Sequence, residues 1–298
     1  MVCRVPGERR LLQLTAVDVP EPQRRRLAVL GSPIAHSRSP QIHGAAYEML
    51  GLDWSYERIE VAEGGLAAFI EGLDDSWRGF SVTMPLKAEA LALSSTVTAT
   101  ANATNAVNTL RLWDDGVTGD NTDILGVIGA LTDAGVEPIG IPLILGAGAT
   151  AGSVVFALAR MGFTDAVVAA RRPQQAASVA AQAEPWGIRV APIEWAAADG
   201  AALAATLVVN TVPGAAPALL TFDAEVRART PLFEIVYADW PSALASSWLD
   251  AGGTVISGLE MLVHQALAQV RIFVKGDASA ALPREHELLE AMRRAVAS

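Results

Sequence analysis

Cysteine is almost absent from this chain of 298 residues. Cys3 is the only one, so no internal disulfide framework is available and a reducing cytoplasm is the expected location. Lysine is nearly as scarce: Lys87 and Lys275 are the only two among 22 basic residues, the rest being arginine. No apolar run approaches the roughly 18 to 20 residues that a membrane span needs. The first residues lack the basic, apolar, small-residue order of a signal peptide, so neither a membrane nor export is expected. Positive charge is short overall, with a net charge of −10. That argues against nucleic acid, which rewards basic surfaces. It leaves room for a small anionic ligand, because a local site can be positive on an acidic protein.

Apolar bulk is plentiful, at 51% of residues, which is enough for two ordinary domains. Residues 1–26 carry Arg9-Arg10, Pro20-Glu21-Pro22 and Arg24-Arg25-Arg26 with little periodicity, and read as a flexible tail. Order is expected from Leu27-Ala28-Val29-Leu30-Gly31, a short apolar run stopped by glycine and hence a buried strand. Ser39 before Pro40 predicts a helix start, with a hydroxyl cap and a proline where a missing N–H does no harm. Further strands are predicted at 55–61, 80–84 and 107–113, with helices at 65–71 and 88–93. A second unit starts near Ile124, with strands at 166–170, 207–210, 232–236 and 254–256 and helices at 258–274 and 284–297. This alternation predicts an α/β fold of two domains with a cleft between them.

The second unit opens on Leu143-Ile144-Leu145, then Gly146-Ala147-Gly148-Ala149-Thr150-Ala151, then a helical stretch to Met161. Strand, G-x-G-x-x-A and helix is the pattern of a dinucleotide loop. Its glycines let the backbone approach a pyrophosphate, and free N–H groups at the helix start hold the charge. The next strand ends in Arg171-Arg172, where an NAD site would place an acidic residue for the ribose 2′-hydroxyl. Two guanidinium groups suit a 2′-phosphate instead, which points to NADP.

Polar clusters adjoin the strand ends of the first unit. They are His36-Ser37-Arg38-Ser39-Pro40, Phe80-Ser81-Val82-Thr83-Met84-Pro85-Leu86-Lys87, Asn105-Ala106-Val107-Asn108-Thr109 and Gly119-Asp120-Asn121-Thr122-Asp123. A helix start at Ser39 favours an anion, and ligands of α/β sheets gather beyond strand ends such as the one carrying Lys87. In so arginine-rich a chain a retained lysine is a candidate for chemistry, because lysine exchanges its proton and arginine does not. The four histidines show no ligand spacing, so none is expected to bind metal or drive catalysis. His264 is expected on the opposite side of its helix from Gln265.

Taken in order, G-S-P-I-A-H-S-R-S-P, V-T-M-P-L-K, A-V-N-T, G-D-N-T-D, G-A-G-x-x-A and G-L-E-M-L-V-H-Q-A resemble the shikimate/quinate dehydrogenase family from about Leu27 to Phe273. The resemblance implies a substrate-binding catalytic domain over 27–123 and a Rossmann-type NADP domain over 124–257. Residues 258–298 would be helices returning to the first domain. It implies NADP-dependent reduction of 3-dehydroshikimate to shikimate in aromatic amino-acid biosynthesis, with Lys87 and Asp123 as the catalytic pair. Ser37 and Ser39 would bind the substrate carboxylate, Thr83, Asn108 and Gln265 its hydroxyls, and Tyr237 would assist near the carboxylate. Gly146, Ala147, Gly148, Ala149, Arg171 and Arg172 would hold NADP, with Gly258 and Met261 by the nicotinamide. No metal is called for, since Lys87 does what a Lewis acid would do. The partner is a small molecule, and the chain would be a monomer or homodimer. Quinate or mixed quinate/shikimate oxidation, and a non-catalytic nucleotide-binding relative, are the alternatives. Ser81 and Asn105 depart from the family's usual asparagine and glycine, and Ala170 from its asparagine. The segments 210–214 and 237–244 follow the family pattern only loosely.

Overall fold

Two six-stranded sheets form from these apolar runs, and a computed structural model describes residues 25–113, 116–214, 220–237 and 240–297. The first sheet contains β1 (Arg25–Gly31), β2 (Trp54–Glu60), β3 (Trp77–Val82), β4 (Thr96–Val97), β5 (Thr109–Trp113) and β6 (Gly116–Asp120), in the order β2-β1-β3-β5-β6-β4. It is mixed: β1 runs parallel to β2 and β3, whereas β5 is antiparallel to β3 and β6. The second contains β7 (Ile141–Leu145), β8 (Asp165–Ala170), β9 (Arg189–Glu194), β10 (Ala205–Asn210), β11 (Leu232–Glu234) and β12 (Val255–Ser257), all parallel. Its order β9-β8-β7-β10-β11-β12 is the 3-2-1-4-5-6 arrangement of a Rossmann sheet, with the ligand crevice beside β7.

Helices fill the crossovers. Those of the first unit are α1 (Ser39–Leu50), α2 (Leu66–Glu71), α3 (Lys87–Leu93) and α4 (Ala99–Thr104). The second unit has α5 (Asp123–Asp133), α6 (Ala149–Met161), α7 (Pro173–Ala183), α8 (Ala198–Ala202), α9 (Ala224–Arg229) and α10 (Ala243–Asp250), and the chain closes with α11 (Gly258–Lys275) and α12 (Glu285–Arg294). Both faces of the central strands are buried, which explains why β1, β7, β8 and β10 read as continuous apolar runs. No helix among the described residues is long and apolar enough to cross a membrane.

Several local expectations shift. Arg25 and Arg26 belong to β1, because they pair in register with Trp54 and Ser55 and the Arg26 guanidinium lies 4.1 Å over the Trp77 ring. The rest of the expected tail, 1–24, lies outside the described residues. β3 stops at Val82, two residues before the expected end, as the chain turns toward Pro85, which has no N–H to give a ladder. Ser39 does not cap α1; it sits in the first turn and its backbone N–H is taken by Ser37 Oγ at 3.3 Å. Asn105, where the family carries glycine, ends α4 with φ +50°, a left-handed conformation that asparagine tolerates better than most side chains.

Helix α11 joins the two halves. It leaves β12 of the second sheet, yet Val263, Ala266, Leu267, Val270 and Phe273 share a core with Leu27, Ile42 and Tyr47 of the first. Alongside runs α5, and the two helices touch at glycines. A Cβ on Gly126 would stand 2.7 Å from the Met261 carbonyl oxygen and 2.9 Å from Gln265 Cβ. We expect Gly126→Ala to destabilise the protein. The helix-propensity gain is about 1 kcal/mol, whereas forcing atoms into a packed contact costs typically 1–3 kcal/mol. Denaturant melts check this, and a variant as stable as wild type or more so would contradict the packing account.

Candidate active site

Two helix starts meet on the floor of the cleft. After β3 the chain turns through Thr83 and Pro85 into α3, whose first residue is Lys87; after β6 it enters α5 at Asp123. Lys87 Nζ lies 2.5 Å from Asp123 Oδ2, with the two side chains only 15% and 10% exposed. The first turn of α5 is a favourable place for a carboxylate, because the helix dipole is positive there. Asn108 Nδ2 donates to the other carboxylate oxygen at 2.7 Å. The orientation of that amide is determined by its neighbours. Asn108 Oδ1 accepts the Thr122 backbone N–H at 2.8 Å and the Thr109 hydroxyl at 2.7 Å, and a backbone N–H can only donate. Gln265 reaches the same group from α11, with Oε1 at 3.3 Å from Thr122 Oγ1 and 3.5 Å from Asn108 Nδ2.

Ser37 and Ser39 form another wall, both buried, with their hydroxyl oxygens 3.2 Å apart. Tyr237 approaches from the second unit, and Gly258 and Met261 from the start of α11. Together with Thr83, Lys87, Asn108, Asp123 and Gln265 these residues line one cavity of about 310 Å³, the size of a small-molecule site. Burial pushes the Tyr237 phenol above its ordinary value, opposed by the charges of Arg38 and Arg58.

The remaining sequence-selected residues are not in that lining. Gly146, Ala147 and Gly148 lie between β7 and α6, Ala149 is the first residue of α6, and Arg171 and Arg172 follow β8, both exposed. Thr150 of α6 does line the cavity, so the two regions adjoin. Gly146 has φ +105°, and a Cβ there would come within 2.8 Å of Val212 Cγ2, so the turn requires glycine. Gly148 caps α6 without a side chain, leaving the helix-start N–H groups uncovered by any side-chain cap. Ala170, at the end of β8, is buried and offers no polar group.

Among the lining residues given no role from the sequence, Ser81 and Gln269 are the buried polar ones, and Gln269 was missed altogether. Gln269 is four residues after Gln265 on α11, and that helical spacing was the available signal. Its Nε2 donates to the Asn108 carbonyl at 3.2 Å and to Thr109 Oγ1 at 3.0 Å, so its Oε1 faces Ser81 Oγ (2.7 Å) and His43 Nε2 (3.2 Å). His43 is therefore the Nε2–H tautomer, with Nδ1 accepting from Tyr47 OH at 3.3 Å, and it stacks on Tyr56 with centroids 4.0 Å apart. Ser81 also accepts from Tyr56 OH at 2.5 Å, so its hydroxyl links β2, β3 and α11. In the loosely matching segment 210–214, Asn210 donates to buried Glu234 at 2.7 Å. Burial raises the Glu234 carboxyl above its ordinary value, against hydrogen bonds from Asn210, Ser242 and the Val236 N–H. His264 does point away from Gln265, and it gathers with Asp133 and Glu260. The Arg293 guanidinium already bridges this trio, bonding Asp133, Glu260 (2.9 Å) and His264 (3.3 Å).

A Rossmann sheet facing a mixed α/β domain across a polar cleft is the arrangement of a two-domain dehydrogenase. Residues 29–110 match the family model for the shikimate dehydrogenase substrate binding domain. The chain is 39% identical over 252 residues to the NADP(+) shikimate dehydrogenase of Methylobacterium radiotolerans, covering 81% of this chain and 88% of that one. The crystal structure of Mycobacterium tuberculosis shikimate dehydrogenase superposes with a TM-score of 0.80 at 41% identity, covering 91% of this chain and all 100% of that one. The Thermus thermophilus enzyme, crystallised with NADP(H) and shikimate, gives 0.77 at 33% identity over 91% of this chain and 100% of its own. The chain belongs to the shikimate dehydrogenase family.

The histidine behind the site has a consequence for stability. Burial lowers the His43 pKa from 6.5 to about 3, against the hydrogen bond it makes to Gln269. Between those values the unfolded chain binds a proton that the folded chain refuses, so stability is complete above pH 6.5 and falls as pH drops toward 3. We expect wild type to lose on the order of 2–3 kcal/mol from this group between pH 7.5 and 4.5, at about 1.4 kcal/mol per pH unit within the window. His43→Asn should show a flatter pH dependence in urea melts; an unchanged slope would remove His43 as its source.

Proposed function

We propose that this protein catalyses the reversible NADP-dependent reduction of 3-dehydroshikimate to shikimate, with Lys87 and Asp123 as the acid–base pair. The observation that carries the reading is the 2.5 Å contact between Lys87 Nζ and Asp123 Oδ2, on the floor of a cleft that also presents two buried serines. Reduction of a ketone develops negative charge on its oxygen, so the site needs a positioned cation that also gives a proton. Lys87 does both, whereas an arginine would only stabilise. Asp123 holds the ammonium and accepts from the neighbouring substrate hydroxyl. In the oxidation direction Lys87 takes the alcohol proton.

Ser37 and Ser39 bind the substrate carboxylate at the start of α1, with Tyr237 beside it, and Thr83, Asn108 and Gln265 bind the ring hydroxyls. Residues 27–123 act as the substrate domain and 124–257 as the NADP domain, with the helices of 258–298 returning to the first. The cofactor residues fit their ligand: the turn at Gly146 excludes a side chain, the α6 start offers free N–H groups, and Arg171 and Arg172 are available for a 2′-phosphate. NADPH would supply the hydride when bound, with Gly258 and Met261 by its nicotinamide. The named activity of the relatives supports this reading. A cytoplasmic location and a monomeric or homodimeric state complete it.

Absorbance of reduced nicotinamide, with shikimate or quinate crossed against NADP or NAD, tests it. We expect turnover with shikimate and NADP and little with the other pairs. Lys87→Ala should lower kcat by about 10²–10⁴-fold, the usual contribution of a general acid–base group. Lys87→Arg should recover little, since its charge remains but its proton does not leave. Faster turnover with quinate or NAD would assign the sister activity. A folded, NADP-binding protein with no turnover would refute catalysis.

A further inference from the structure

The H-S-R-S-P stretch contains an arginine that the hydrogen-bonding roles of its serines leave unused, and a second arginine reaches the same loop from β2. Arg58 Nε donates to the Ser37 carbonyl oxygen at 2.7 Å, and its Nη2 donates to Gln41 Oε1 at 3.0 Å. These bonds tie the loop between β1 and α1 to β2, and so determine where the Ser37 hydroxyl stands. Three residues earlier in the same register of β1 and β2, Arg26 is neutralised by Glu57 at 3.1 Å. Arg38 and Arg58 have no carboxylate within ion-pair distance among the described residues. Their charge reaches the cavity, since both oppose the rise of the Tyr237 phenol, which lines it together with Ser37 and Ser39.

A pair of serines hydrogen-bonds a carboxylate but brings no charge to it. The start of α1 contributes only about half an elementary charge, falling off within the first turn. Lys87, the cation that lines the cavity, is already engaged with Asp123. On a chain of net charge −10, a monoanion that enters this cleft needs a local source of positive potential.

We propose that Arg58 is a specificity-determining residue for an anionic substrate: it positions Ser37 through the loop carbonyl and, with Arg38, supplies the positive charge that the carboxylate meets. This rests on the proposed function, which puts the substrate carboxylate at Ser37 and Ser39. Arg58 is the stronger contributor because two hydrogen bonds hold its guanidinium in place, whereas the Arg38 side chain makes none among the described residues. Arg58→Gln keeps an N–H donor and removes the charge; Arg58→Lys keeps the charge.

The test measures binding of shikimate and of its neutral methyl ester by calorimetry, beside steady-state kinetics. Salt is set at about 0.1 M and about 1 M, where the screening length falls from about 10 Å to about 3 Å. In Arg58→Gln the Kd and KM for shikimate should rise about fivefold at low salt, near the upper end for an exposed charge. Binding of the ester should be unchanged, kcat should stay within about twofold, and the shikimate difference should disappear at high salt. Arg58→Lys should retain the salt dependence of wild type. An unchanged Kd for shikimate in Arg58→Gln overturns the proposal. Equal losses for acid and ester at both salts also overturn it, because Arg58 would then only brace the loop. Wild-type protein that binds neither compound removes the proposed function and this inference together, whereas normal wild-type binding with either of the preceding results removes this inference alone.

Discussion

Close approach of α5 and α11 is the constraint on which the cleft depends. One helix starts with Asp123 and the other carries Gln265 and Met261, so their separation sets the distance between the pair on the floor and the wall opposite. That separation is small because Gly126 and Gly129 both face α11 without a Cβ, the latter directly under His264. The Arg293 bridge among Asp133, Glu260 and His264 then ties α12 to the far end of the same contact. A sheet of either domain could tolerate altered packing on its outer face. The helix pair has no such slack, since its atoms already touch at the backbone.

Orientation in the site follows from groups that can only donate or only accept. The Thr122 N–H and the Asn108 carbonyl have no alternative role, and they dictate the directions of the Asn108 and Gln269 amides. Those amides in turn leave one N–H for Asp123 and one tautomer for His43. The result is a buried polar network with its members satisfied, which is rigid for the same reason that an incomplete one would be costly. Charge is arranged differently: an acidic chain keeps Lys87 shielded and paired, and gives Arg38 and Arg58 no carboxylate partner among the described residues.

Much of this was legible beforehand. Apolar runs bounded by glycine or proline located β1, β7, β8, β10 and α11 to within a few residues, because burial on both faces leaves an unmistakable composition. The strand, glycine loop and helix around Gly146 needed no tertiary information either. Elements with mixed composition escaped: α7, rich in alanine and glutamine, and the edge strand β9, exposed at most positions, carry weak periodicity. Ser39 looked like a cap and is not one: the helix already begins at Ser39, with Arg38 at the cap position. Gln269 was overlooked because a glutamine on a long helix is ordinary until a strand end is shown beside it.

By itself the sequence determined the two α/β units, the dinucleotide turn and the residue types of the site, since these depend on local composition and on motifs read in order. It also singled out Lys87, as a lysine retained where nearly every other cation is arginine. Only the tertiary structure decided that Lys87 meets Asp123 across 36 residues of chain, that Gln265 and Gln269 arrive from the last third of the protein, and that Arg58 holds the Ser37 loop. Such contacts are set by crossover topology and helix packing, in which residues far apart in sequence are placed by the shapes of everything between them.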